Sequence, residues 1–319
     1  MNKKLVAIAV SSLFALPTAF AADVEVYGRI NNAIVSTDSG GNSNTDVSNI
    51  SSRFGIRASS DLGNGLTASG QYEFSTTPDK EMPNIDDLRI GTVGLSGGFG
   101  AVTIGNQWSS YYNSVGTDID PSYTVGYHMY SSVGNAPYRS SNTVKYSNSF
   151  GAVYVEADIR VNGSDEGNDV AEKLNGDGYG VGVRYTVNDN ITLAAAYDIE
   201  KGSEGSEDET RTGISARFAF DGFYAQIGHQ QWEKGSDNRE HTQVWIGKQM
   251  GKTNVRIGYG SGEVSVSNIP STPEPEQIVL GVYHEVGGGM TLYYEGTDVD
   301  GDGAIDDTTQ HILGMRYDF

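Results

Sequence analysis

The sequence predicts a transmembrane, antiparallel up-and-down β-barrel of about 16 strands, and three observations lead there. From Ala22 onward the chain reads as amphipathic segments of period two with no clean helical period. Short turns alternate with longer polar loops between those segments. The last strand turns Leu313, Met315, Tyr317 and Phe319 to one face and Gly314, Arg316 and Asp318 to the other, then stops at the aromatic. No helix is expected nearby to cover that apolar face. Lipid suits it better than a soluble core, and a terminal ring suits the membrane interface.

Residues 1–21 read as a secretory leader. Lys3 and Lys4 form the positive start, Leu5 to Leu16 the apolar run, and Ala19-Phe20-Ala21 the cleavage site. The run is interrupted by Ser11, Ser12 and Pro17 and falls short of the roughly 20 residues a spanning helix needs. Cleavage after Ala21 leaves residues 22–319 as one barrel domain without a linker.

Within that domain the alternation is regular. Val153, Val155, Ala157 and Ile159 oppose Tyr154, Glu156, Asp158 and Arg160. Val181, Val183, Tyr185 and Val187 oppose Gly180, Gly182, Arg184 and Thr186, and Ile191, Leu193, Ala195, Tyr197 and Ile199 oppose Thr192, Asp198 and Glu200. Short turns fall at residues 61–65, 97–100, 150–151, 188–190, 221–222, 251–252 and 287–289. The stretch from Trp108 to Ser141 is the exception. It carries Tyr111, Tyr112, Asp118, Asp120, Pro121, Tyr123, Tyr127, His128, Tyr130 and Tyr138. A loop so long is functional or disordered, and its aromatics argue against disorder. It is expected to fold into the barrel and narrow the lumen.

Composition agrees. There is no cysteine, so no disulfide framework despite export. Only 37% of residues are hydrophobic, which suits a barrel that is apolar on its outer face and wet inside. The net charge of −20 excludes nucleic acid as a partner. Acidic clusters at Asp165, Glu166 and Asp169, at Glu204, Glu207, Asp208 and Glu209, and over residues 298–307 sit where strand periodicity fails, as solvated loops would.

The chain resembles the trimeric general diffusion porins of Gram-negative bacteria, closest to those of beta-proteobacteria and marine gamma-proteobacteria. The resemblance rests on Val26-Tyr27-Gly28-Arg29, Ser52-Arg53-Phe54-Gly55-Ile56-Arg57, Asp61-Leu62-Gly63-Asn64-Gly65-Leu66, Val93-Gly94-Leu95-Ser96-Gly97-Gly98-Phe99-Gly100 and the terminal Tyr317-Asp318-Phe319. It implies 16 strands, a homotrimer in outer-membrane lipid and lipopolysaccharide, a third loop forming the constriction, and Phe319 as a signal to the barrel assembly machinery.

A diffusion pore needs no catalytic group, only a water-filled constriction with a field across it. Parity puts Arg53 and Arg57 in the lumen, opposite in sense to Phe54, Ile56 and Ala58. The resemblance places Arg57 in the family's basic wall cluster, with Arg53 and Arg29 beside it and Asp118 and Asp120 on the opposing loop. These arginines could instead pair with lumen carboxylates such as Glu73. Arg89 is ambiguous: Leu88 and Ile90 face it one way and Val93 and Leu95 the other, so a bulge would reconcile them; the resemblance favours the lumen. Lys145, Arg184, Arg217 and Arg256 are expected in the lumen with Glu156, Asp158, Asp198 and Glu295, which predicts weak selectivity. The acidic mouth is expected to favour cations, more so at low salt.

Asp298, Asp300, Asp302, Gly303 and Asp306 match the start of an EF-hand calcium loop. Thr309 stands where that loop needs its bidentate Glu, and no helices flank it, so an acidic turn is the competing reading. Gly94-Leu95-Ser96-Gly97-Gly98 matches a nucleophile elbow, which requires a following helix, whereas Val102-Thr103-Ile104 reads as strand. The five histidines, His128, His229, His241, His284 and His311, show no metal spacing. Three of them, His229, His284 and His311, share lipid-facing parity.

The expected function is passive diffusion of ions and small hydrophilic solutes across the outer membrane, without catalysis and with no cofactor other than calcium at Asp298, Asp300, Asp302 and Asp306. A channel selective for an oligosaccharide or organic acid is the alternative, ahead of an adhesin or a lipase.

Overall fold

The computed structural model describes residues 22–80, 85–124, 138–161, 178–202, 206–265, 274–302 and 306–319. Residues 1–21, expected to be a leader, lie outside them, as do Tyr127, Tyr130, Asp165, Glu166, Asp169 and Glu204.

Seventeen strand segments make one antiparallel sheet. They are β1 (Asp23–Ser39), β2 (Asn42–Asn49), β3 (Arg53–Gly63), β4 (Leu66–Thr76), β5 (Ile85–Gly97), β6 (Gly100–Trp108), β7 (Arg139–Phe150), β8 (Val153–Arg160) and β9 (Gly178–Asn188). Then come β10 (Ile191–Glu200), β11 (Glu209–Phe220), β12 (Phe223–Lys234), β13 (Asp237–Met250), β14 (Thr253–Ser265), β15 (Glu276–Gly287), β16 (Met290–Asp300) and β17 (Thr308–Asp318).

The expected 16 strands and the 17 segments are reconciled at β1. One edge of β1 pairs with β17 over Arg29–Ser39. The other pairs with β2 from Asn32 to Ser39 and with β3 from Asp23 to Arg29. β2 and β3 are therefore two halves of one strand, broken at residues 50–52. The break is held by the Asn31 amide donating to Ser52 Oγ (2.9 Å) and the Ser52 amide donating to Asn49 Oδ1 (3.0 Å). The result is a closed ring of 16 with every edge paired, the arrangement that leaves no strand edge for the bilayer to solvate.

The two rims differ as the spacing predicts. On one rim seven connections, each of two residues, join β3 to β4, β5 to β6 and so on to β15 and β16. At Asp221-Gly222 both residues have positive φ (50° and 75°), the geometry that matches the twist of a two-residue hairpin. The opposite rim carries the longer loops, with two exceptions: Gly40-Gly41 joins β1 to β2, and Gly235-Ser236 joins β12 to β13.

The outer face is apolar. Ile30, Ile34, Val93, Ile214, Leu313 and Met315 are each about half exposed or more. In water that would be an aggregation liability; against acyl chains it is the solvated surface. The outward histidines are tied down: His229 Nδ1 bonds Thr242 Oγ1, His284 Nδ1 bonds Thr253 Oγ1, and His311 Nδ1 bonds the Tyr294 hydroxyl. Ser96 lies in β5, and a hairpin then leads into another strand, so the elbow geometry is absent there.

Candidate functional site

After β6 the chain turns into the lumen. Tyr112–Gly116 forms a π-helical turn and Thr117–Ile119 a single α-turn. Glycines on the inner wall make room for it. A Cβ at Gly182 would meet Ser114 Oγ at 2.0 Å, one at Gly213 the Tyr111 hydroxyl at 2.5 Å, and one at Gly228 Ile119 Cγ2 at 2.2 Å. Side chains of β9, β11 and β12 thus give way to the loop, and Tyr111, Val115 and Ile119 are fully buried in the slots.

Polar contacts fix the seat. The Ser110 amide donates to Asp158 Oδ2 (3.0 Å), and Asn113 Nδ2 donates to both oxygens of Glu156 (3.2 and 2.9 Å). Lys145 Nζ reaches the Trp108 carbonyl (3.1 Å) and lies 3.4 Å from Glu156. The Tyr111 hydroxyl donates to the Thr212 carbonyl (3.0 Å). The far end of the segment crosses to β14–β16. There the buried Glu295 carboxylate accepts the Tyr123 amide (2.6 Å), the Thr124 amide (2.9 Å) and the hydroxyls of Thr124 and Tyr283. Arg256 donates to the Pro121 carbonyl and lies 3.8 Å over the Tyr283 ring. Most of the lumen charges expected to set selectivity are thus engaged in anchoring the loop.

Between this segment and the facing wall lies a cavity of about 460 Å³. Arg29, Arg53, Arg89, Arg139 and Arg316, from β1, β3, β5, β7 and β17, line one side; Tyr112, Asp120, Pro121 and Tyr123 line the other. Two wall carboxylates serve this cluster. Glu73 lies 2.7 Å from Arg89 Nε and 3.7 Å from Arg53, and Asp318 lies 2.7 Å from Arg29 Nε and 2.6 Å from Arg316 Nε. With Asp120 that makes three carboxylates against five guanidinium groups, a formal excess of two positive charges in a chain of net charge −20.

The candidate residues do not all converge. Arg29, Arg53, Arg89 and Asp120 line the cavity together. Arg89 owes its place to a bulge: Glu73 pairs with Ile90 and Phe74 with Leu88, leaving Arg89 as the extra residue, turned inward to Glu73, and this break reconciles the two conflicting parity counts. Arg57 sits apart, nearer the short-turn rim. It forms a bidentate pair with Glu25 (2.7 and 2.7 Å), is more than half exposed, and borders a separate cavity. Asp118 is turned away from the pore, accepting from Arg184 Nη2 (2.9 Å) and Ser215 Oγ (2.9 Å).

Asp120 alone presents the loop's acid to the cavity. The Tyr112 hydroxyl donates to it (3.1 Å), and burial between loop and wall pushes its carboxyl up to about 6.

Two arginines escaped the sequence reading. Arg316 stood on the inward face of the last strand and was available by parity. Arg139 was missed because the sequence assigns it to the long loop from Trp108 to Ser141, where no alternation is counted, whereas the strand β7 already begins at Arg139. Its guanidinium lies over the Trp108 ring at 5.1 Å.

The proposed calcium ligands do not gather. Asp298 Oδ1 accepts from Thr309 Oγ1 (2.8 Å), Asp300 Oδ1 from the Asp302 amide (3.0 Å), and Asp302 Oδ2 from the Glu274 amide (3.0 Å). No group of three or more metal-competent side chains exists among the described residues. Gly303 and His128 lie outside the described residues.

Comparison with known proteins agrees with this architecture. Residues 6–304 match the family model described as Gram-negative porin. Outer membrane porin F of Salmonella typhimurium is 26% identical over 239 residues, 68% of this chain; the chain spans 63% of that relative's length. Among solved structures, the anion-selective porin from Comamonas acidovorans superposes with a TM-score of 0.77 at 19% identity, over 93% of this chain and all of that one. OmpT of Vibrio cholerae in its trimer form gives a TM-score of 0.71 at 17% identity, over 94% of this chain and all of that one. At such identities the structural likeness is one of fold. Taken with the family match, it establishes that the chain belongs to the Gram-negative porins and is a β-barrel of the outer membrane.

Proposed function

We propose that this barrel is a diffusion channel for ions and small hydrophilic solutes, working as a homotrimer. The observation that carries it is the charged cavity of about 460 Å³ between the inward segment and the arginine wall, inside a closed barrel. Solutes crossing there feel a field running from five guanidinium groups to Asp120, so size and dipole orientation sort them. The aromatic rings beside this cavity form one cluster: Trp108 stacks on Tyr112 with ring centres 4.8 Å apart, and Tyr138 tilts against Tyr112 at 5.0 Å. A sugar-selective channel would spread its rings along the lumen, so the general channel is the better reading.

Selectivity has two sources of opposite sign. The long-loop rim carries exposed Glu233, Glu240, Glu263, Glu274, Glu276, Asp298 and Asp300, which concentrate cations at the mouth. The constriction carries the basic excess. At low salt the mouth acts over a long range and favours weak cation preference, as the net charge of −20 suggests. Assembly through the terminal Phe319 and contact with lipopolysaccharide belong to the same proposal. Calcium is left out of it, since no three metal-competent side chains gather among the described residues.

Reconstitution into a planar bilayer tests the reading. Conductance steps grouped in threes, with a small zero-current potential on the cation side under a dilute salt gradient, are the expected result. A correctly folded protein that passes no current would overturn it.

A further inference from the structure

The five arginines at the constriction are not equally paired. Arg29 and Arg316 share Asp318, and Arg89 bonds Glu73 at 2.7 Å. Arg53 has only the outlying contact with Glu73 at 3.7 Å, and Arg139 has no carboxylate partner among the described residues. The Arg139 guanidinium lies over Trp108, its carbon 5.1 Å from the ring centre, a contact that consumes none of its N–H donors. The side chains of Arg53 and Arg89 are only 18% and 11% exposed, so they have shed most of their water without gaining a full complement of acceptors. Such partly desolvated, under-compensated cations attract an anion strongly.

We propose that Arg53, Arg89 and Arg139 form a binding subsite for small doubly charged oxyanions, phosphate and short dicarboxylates, so that these cross by saturable flux while other solutes simply diffuse. The inference rests on reading the barrel as an open channel. Geometry favours oxyanions over halides: a guanidinium edge offers two parallel donors that match two oxygens of one carboxylate or phosphate, whereas chloride is a single spherical acceptor. Charge favours dianions, since the local excess is two. The cavity of about 460 Å³ has room for such an ion with some of its water. Asp120 on the opposite side repels the ion toward the arginines.

The test is chloride current through the reconstituted full-length mature protein at pH 8, titrated first with inorganic phosphate and then with succinate. Current should fall to a plateau in both titrations. Arg139→Gln should raise the half-saturating concentration at least tenfold. Arg139→Lys, which keeps the charge and loses the fork, should raise it several-fold, and Lys252→Gln at the short-turn rim should leave it unchanged. Phosphorus NMR on detergent-solubilised protein reads the site without current: phosphate should broaden with the wild type and stay sharp with Arg139→Gln. A conducting wild type that neither saturates nor broadens phosphate overturns the subsite, as does an Arg139→Gln variant with wild-type half-saturation. A protein that broadens phosphate but never conducts overturns the channel reading and upholds the subsite.

Discussion

The ring of Phe319 lies across Gly28, so close that a Cβ on that glycine would sit 2.5 Å from the ring's Cζ. The two residues also exchange backbone hydrogen bonds, Gly28 N to Phe319 O at 2.9 Å and Phe319 N to Gly28 O at 3.1 Å. The last residue thereby closes the barrel against the first strand. The glycine in Val26-Tyr27-Gly28-Arg29 and the aromatic end of the chain are one packing solution, although 291 positions of sequence divide them.

That relationship sets the first expectation. Gly28→Val should cost about 1–3 kcal/mol through overpacking at the closure. Pairing it with Phe319→Ala should restore part of the loss, since the clash then disappears. Urea unfolding in detergent, run as a double-mutant cycle, measures the coupling; strictly additive effects would contradict the contact.

Asp118 should behave as an anchor. Asp118→Asn removes the charge that holds Arg184 and weakens the bond from Ser215, a cost of about 1–3 kcal/mol because Arg184 keeps some exposure. The loop should loosen while the barrel persists. Single-channel records should show noisier current at nearly unchanged charge selectivity, whereas a large selectivity change would mean that Asp118 faces the pore.

Asp120 should set a pH response. Its carboxyl titrates near 6 in the folded protein, pushed up by burial. Above that value it is charged and opposes the arginines; as pH falls through 6 it takes up a proton and the basic excess grows from two to three. Cation-to-anion permeability ratios should therefore drop between pH 7 and 5. Asp120→Asn should show the acid-side ratio at every pH, and a wild-type ratio flat across that range would refute the assignment.

Ionic strength should shift selectivity as well. The Debye length shrinks from about 30 Å at 0.01 M to about 3 Å at 1 M. The exposed acids of the rim should lose their reach over that range, while the arginines still meet each ion within the constriction. Zero-current potentials measured at a fixed concentration ratio should move from the cation side toward the anion side as total salt rises. A constant potential would mean that a single charged zone decides.

Much of the architecture was legible in the sequence. Period-two alternation marks which residues meet lipid, and turn residues such as Asp221-Gly222 mark where strands reverse, because both are local properties of the chain. The inward course of the loop was legible from its length and its rings. Parity pointed Arg53 into the lumen and the resemblance nominated Arg29 and Asp120, and all three line the cavity. The rest was lost where the chain departs from regular alternation or where a boundary was not marked: at the bulge that turns Arg89 inward, at the start of β7, where Arg139 already belongs to the strand, and at the break between β2 and β3.

Sequence alone determined the class of the molecule, its two unlike rims, and the sign of charge at its mouth, since alternation and composition constrain these without reference to distant contacts. Tertiary structure alone decided which charges face the pore. Asp118 and Asp120 stand two residues apart on one short segment, yet one is bound to the wall and the other borders the cavity. Arg53 and Arg57 share a strand face, yet Glu25 retains one near the rim while the other joins the constriction. A side chain's role here depends on the partner brought to it by strands far away in sequence, and only the closed ring brings those partners together.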